Sequence, residues 1–238
     1  MALNDLIEQL RARRLSEVSA KKTHRKERPA QKLAEPVQGA SDRIRAEVYK
    51  RILERYADTV GLMEDKTIPE LKALVNPEDE AVVRVKQTIF EGLRGENAGW
   101  EYSFERDFPA FLKAALGYCF SLKPVNADLS VSYWLKPSEI VELGAADPFD
   151  RAIFLCSLLE SAGGNARVRV LELEGSAKHA VVFSQLGDEI VLLDPSCSGE
   201  FELGSSEKDV LQKHALEGKK IVKSLYEFNN SEYSDFEE

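Results

Sequence analysis

The amino-acid sequence predicts an α+β fold in which a helical first half packs on a small antiparallel sheet. Three observations predict it. Apolar residues recur at helical spacing in several segments before about residue 120, as in Val82, Val83, Val85, Ile89 and Phe90. After Gly163-Gly164 the period falls to two, with Ala166, Val168 and Val170 alternating against Arg167 and Arg169. Two apolar runs, His179-Ala-Val-Val-Phe and Glu189-Ile-Val-Leu-Leu, then flank a Gly187-Asp188 pair suited to a tight hairpin turn.

The elements follow in chain order. Residues 1–40 read as a short amphipathic helix (Leu3, Leu6, Ile7 and Leu10 on one face of 2–15) and a basic linker broken by Pro29, Pro36 and Gly39. The folded body spans 41–228, with a helical lead-in over 41–120. Ser41 or Asp42 can cap a helix carrying Ile44, Val48, Ile52, Leu53 and Tyr56, and Thr67 can cap Ile68–Val75. Helices are also expected over Glu78–Leu93 and Phe108–Leu116, with Gly92, Gly95 and Gly99 between them. Pro137–Leu143 makes a short helix. Asp147 then begins a longer one that runs to about Ser161. Beyond the hairpin come a helix at Glu207–Leu216, a strand at Ile221–Phe228 and an acidic tail over 229–238.

Composition bounds the function. With 238 residues, 43% of them hydrophobic, the chain can fill a real core. No apolar run is long enough to span a bilayer and no secretory signal is seen, so a cytoplasmic protein without membrane contact is expected. Cys119, Cys156 and Cys197 are odd in number, with no C-x-x-C pair, which argues against a disulfide framework or a zinc site. No metal or cofactor is expected. Between Arg11 and Lys32 nine Lys or Arg face two Glu, about +7, in a chain whose net charge is −9. Such a segment can neutralise phosphates, so nucleic acid is a conceivable partner through residues 11–32, although no aromatic residues are interleaved there.

One constellation carries chemistry. The stretch Asp150-Arg-Ala-Ile-Phe-Leu-Cys-Ser-Leu-Leu-Glu-Ser-Ala-Gly163 precedes Ala166-Arg167-Val168, then His179-Ala180-Val181-Val182 and Leu193-Asp194-Pro195-Ser196. Together, over about residues 130–196, these resemble the core of the transglutaminase-like superfamily, a papain-related fold; Thr67-Ile-Pro-Glu-Leu-Lys-Ala-Leu-Val-Asn-Pro resembles the helical lead-in of its archaeal members. The whole chain most resembles uncharacterised archaeal transglutaminase-like proteins. The resemblance implies a central helix against an antiparallel sheet and a triad in which His179 is the base and Asp194 its orienting carboxylate. Their separation of 15 residues suits a strand, turn and strand that return the carboxylate to the imidazole.

The resemblance also implies a nucleophilic Cys at the start of the central helix, where the helix dipole lowers a thiol pKa. Either Pro148 or Ala146 aligns there, and neither can attack a carbonyl. Asp147 as N-cap, Pro148 as first helical residue and Asp150 three after the cap explain the local sequence as a helix start. Cys156 shares a stripe with Ala152, Ile153 and Leu159 and reads as core, as does Cys119 between Tyr118 and Phe120. Cys197, three residues after Asp194, is the alternative nucleophile.

Two functions follow, with a third that can coexist. In the first, the chain is a catalytically silent transglutaminase-like protein that binds a protein or peptide in the cleft around His179 and Asp194. In the second, it is a thiol-dependent hydrolase or acyltransferase using Cys197, or as a lesser alternative Cys156, with His179 and Asp194. The third is nucleic-acid association through the basic segment. The His–Asp pair also suits a plain structural role, a buried hydrogen bond that pins the hairpin.

Overall fold

The computed structural model describes residues 38–56, 66–125, 134–197, 201–214, 216 and 218–236. The amphipathic helix expected at 2–15 and the basic segment 11–32 lie outside the described residues. The chain forms two compact units, Met1–Val48 and Tyr49–Glu238. Helix α1 (Gln38–Arg55) belongs to both, and it starts three residues ahead of the expected cap at Ser41 or Asp42. Ile44, Val48, Tyr49 and Ile52 are exposed along it.

The second unit is mixed helix and sheet. Helix α2 (Ile68–Leu74) opens on a capping box in which the Glu70 carboxylate accepts from the Thr67 amide at 2.9 Å and hydroxyl at 2.7 Å. Helix α3 (Glu80–Arg94) is capped by Asp79, whose side chain accepts from the Ala81 amide at 2.8 Å. It buries Val82, Val85 and Ile89, an i, i+3, i+7 stripe. Helix α4 (Phe104–Ser121) extends beyond the expected Phe108–Leu116 at both ends. Pro109 lies inside it, removing one backbone bond in the second turn without ending the helix. Strand β1 (Lys123–Pro124) pairs in parallel with β2 (Ala145–Ala146), which follows α5 (Pro137–Leu143). Gly144 joins them at φ +59°, a left-handed C-cap that an L side chain rarely adopts.

Helix α6 (Pro148–Ser161) is the central element. Every residue from Asp150 to Leu159 is buried, so it lacks a solvent face. It lies among α3, α4 and the strands β3 (Ala166–Leu173) and β4 (Lys178–Leu186). Burying Ile153, Phe154, Leu155, Leu158 and Leu159 stabilises the fold by about 1.5–3 kcal/mol per side chain relative to exposure.

The sheet continues with β5 (Glu189–Leu193), β6 (Phe201–Gly204), β7 (Ile221–Phe228) and β8 (Tyr233–Asp235). Its order is β6-β5-β4-β3-β7-β8, and every pair is antiparallel. The tight turn between β4 and β5 uses Gly187 at φ +61°. Alternation along β4 sends Ala180 and Val182 into the core beneath α6, while Val181 and Phe183 join a second cluster with Val210 of α7 (Glu207–Lys213). Helix α7 stops three residues short of the expected Leu216. No described helix is long and apolar enough to cross a membrane.

Candidate functional site

Asp194 lies immediately past β5, with only 2% of its surface exposed. The register of β4 on β5 ends at Val182 with Leu193, so the turn folds the chain back until the start of β4 stands beside the end of β5. His179 Nε2 there meets Asp194 Oδ2 at 2.6 Å. His179 has the strand parity of Val181 and Phe183, placing it on the α7 side of the sheet. His214, which caps the C-terminus of α7, brings its own Nε2 to the same Oδ2 at 3.1 Å.

The other carboxylate oxygen is also engaged. Asp194 Oδ1 accepts from the Ser196 amide at 2.9 Å and the Ser196 hydroxyl at 2.8 Å. The Cys197 side chain hydrogen-bonds to the same carboxylate. Burial alone would raise the Asp194 pKa, but hydrogen bonds from His179, His214 and Cys197 outweigh it and hold the carboxyl well below its ordinary range.

The start of α6 is a cap. The Asp147 side chain accepts the Asp150 amide at 2.8 Å, Pro148 occupies the first turn and Ala146 is fully buried. Asp150 Oδ1 accepts the Leu135 amide at 3.0 Å. Burial first, and the Asp147 charge second, push Asp150 up to about 8. The polar side chain that reaches from α6 toward the Asp194 turn is Arg151, with Nη1 donating to the Pro195 carbonyl at 3.3 Å and Nη2 to the Leu122 carbonyl.

The structure therefore brings together His179, Asp194 and Cys197. Cys119 and Cys156 are fully buried, and burial pushes both thiols up, away from the thiolate form. Cys197 is exposed. Its thiol lies against the Asp194 carboxylate as a donor. Sequence reasoning missed His214, and it included Ser196 in the motif without giving it a role. His214 stands 35 residues beyond His179 across two strands and a helix, and its one signal was being the other histidine of the sheet-forming half. With it, single ligand atoms of His179, Asp194 and His214 all lie within 4.8 Å of one another.

No family model matches the sequence, and no curated protein matches it. Among solved structures, the chain is similar to Legionella pneumophila LapG at 15% identity over 65% of this chain and 87% of that one, with a TM-score of 0.42. Calcium-bound LapG gives 15% identity over 66% and 90%, with a TM-score of 0.42. A candidate cysteine protease from Cytophaga hutchinsonii gives 12% identity over 75% and 60%, with a TM-score of 0.33. At such distances the site is read from its own geometry.

Proposed function

We propose that this chain is a transglutaminase-like module that keeps the His179–Asp194 pair of that fold but lacks its nucleophile, and that it binds a protein or peptide segment at the cleft beside His179. The observation that carries this reading is the start of α6. Where a covalent catalyst of this class needs a thiol, Asp147 and Pro148 form a helix cap and Ala146 is buried. A His–Asp pair without a nucleophile at the start of α6 has no thiol there to deprotonate, and binding is the use proposed for it.

The second reading, a thiol enzyme using Cys197, is favoured by one observation: Cys197 bonds to the carboxylate that holds His179. One experiment separates the two. The protein is treated with an electrophilic thiol probe at mildly acidic and neutral pH, and labelled sites are read by mass spectrometry in wild type and His179→Ala. The silent module predicts slow labelling of Cys197, as an ordinary exposed thiol, at a rate unaltered by His179→Ala. Rapid labelling that collapses in His179→Ala would establish the enzyme instead.

A further inference from the structure

We infer that His179, His214 and Asp194, with Cys197 at the rim, form a binding site for one Zn²⁺ ion. This inference does not rest on the cleft taking a protein partner, since it concerns which atoms converge on Asp194.

A carboxylate has about four acceptor directions. Asp194 has five donors around it: the Ser196 amide, the Ser196 hydroxyl, two imidazoles and the Cys197 thiol. Ser196 already satisfies Oδ1, and one imidazole would satisfy Oδ2, so a second imidazole and a thiol exceed what burying this carboxylate requires. The surplus groups are of one chemical kind. Each of the three, once without its proton, offers a nitrogen or sulfur lone pair toward the same point, and two imidazoles, a carboxylate and a thiolate make a tetrahedral zinc set.

The distances allow it. Zinc bonds of about 2.0–2.1 Å to nitrogen and oxygen place neighbouring ligand atoms roughly 3.3 Å apart. The His214–Asp194 pair at 3.1 Å is already close to that, and the His179–Asp194 pair at 2.6 Å has to open by roughly 0.7 Å. Ser196 stays on Oδ1 as the outer partner that orients the ligating carboxylate. The ligands come from the start of β4, the end of β5 and the end of α7, so the ion ties the far side of the sheet to its hairpin. Ca²⁺ and Mg²⁺ prefer oxygen ligands and fit the set poorly.

The test uses the full chain, freed of metal by chelator and dialysis, and titrated with Zn²⁺ by calorimetry, with Co²⁺ as a spectroscopic probe. One Zn²⁺ per chain is expected, along with a rise in the thermal unfolding midpoint. Co²⁺ should give visible bands of tetrahedral geometry with a thiolate charge-transfer band that Cys197→Ser removes. His214→Ala and His179→Ala should each weaken Zn²⁺ by more than the roughly 10–100-fold that loss of an outer partner brings. Metal-free melting of each variant shows whether it folds, and the wild-type Co²⁺ spectrum stands without any variant. No binding by the wild type, octahedral Co²⁺, or an affinity indifferent to both histidines would overturn the site, as would Ca²⁺ binding of equal strength. A tetrahedral spectrum that survives Cys197→Ser would remove the thiol from the ligand set and leave three protein ligands.

Discussion

Arg151 Nη1 donates to the carbonyl of Pro195 at 3.3 Å, so the first turn of the central helix is bonded to the residue that follows Asp194. A second nitrogen of the same guanidinium bonds the Leu122 carbonyl, where α4 ends. With the side chain 5% exposed, one residue ties three parts of the chain together away from water. Arg151→Ala strands two buried carbonyls and opens a cavity. A loss of about 2–4 kcal/mol is expected, read as a lower urea midpoint with an unchanged m-value. Arg151→Lys cannot reach both carbonyls with one planar fork and should recover only part of that. If Arg151→Ala costs less than about 0.5 kcal/mol, the level of an ordinary surface change, the bridge is dispensable.

Asp150 makes a pH prediction. Its carboxyl titrates at about 8 in the fold because of burial and the nearby Asp147, against about 3.9 in an unfolded chain. Between those values the folded protein keeps a proton that the unfolded chain has released. Stability contributed by the neutral acid is complete below about pH 4 and declines toward pH 8, by about 1.4 kcal/mol per pH unit from this group. Asp150→Asn keeps an acceptor for the Leu135 amide and removes the charge. The variant should be more stable than wild type at pH 8, with the difference shrinking to nothing near pH 4. A difference independent of pH would mean that Asp150 keeps an ordinary carboxylate pKa.

Gly164 shows a constraint of space. A Cβ there would stand 2.7 Å from Phe108 Cε2 and 3.0 Å from the Leu159 carbonyl, the former inside van der Waals contact. Gly164→Ala should destabilise by about 1–3 kcal/mol through overpacking between α4 and the end of α6. On a Phe108→Leu background the ring edge is gone, and the same substitution should cost measurably less. Equal costs on both backgrounds would locate the strain in the backbone instead.

How much of this the sequence disclosed depended on how local the cause was. Asp147, Pro148 and Asp150 fall within four consecutive residues, and their cap was legible because a helix start is decided by neighbours. The contact of His179 with Asp194 was legible because a two-residue turn at Gly187 and strands of known parity fix which residues oppose. His214 was not, since its approach to Asp194 depends on how α7 seats on the sheet, and nothing within a few residues encodes that. The length of α4 was underestimated because Pro109 reads locally as a boundary, while packing of Phe108, Phe111 and Leu112 holds the turns on both sides helical. The short strands β6 and β8 lack enough residues to show a period.

Arg169 supports the last prediction. It is a charged side chain only 3% exposed, on the central strand β3. Its Nε donates to Glu227 Oε2 at 3.0 Å, from the residue directly across on β7, and its Nη2 lies 2.7 Å from Glu207 Oε2 at the start of α7. The guanidinium carbon also stands 4.2 Å from the ring centre of Phe183 and 4.6 Å from that of Phe236. The two glutamates differ in burial, with the Glu227 side chain 14% exposed and that of Glu207 35%. Removing the buried partner leaves Arg169 with only the better-solvated Glu207, so Glu227→Ala should cost the larger amount, about 2–3 kcal/mol, below what a wholly unpaired buried charge would cost. Glu207 is better solvated and competes with water, so Glu207→Ala should cost no more than about 1 kcal/mol. Urea unfolding of both variants in low and high salt tests the contrast, because only the exposed pair should weaken with salt. Equal losses would show that the two glutamates share the compensation of Arg169, and the larger loss at Glu207 that α7 rather than the β3–β7 pairing supplies it.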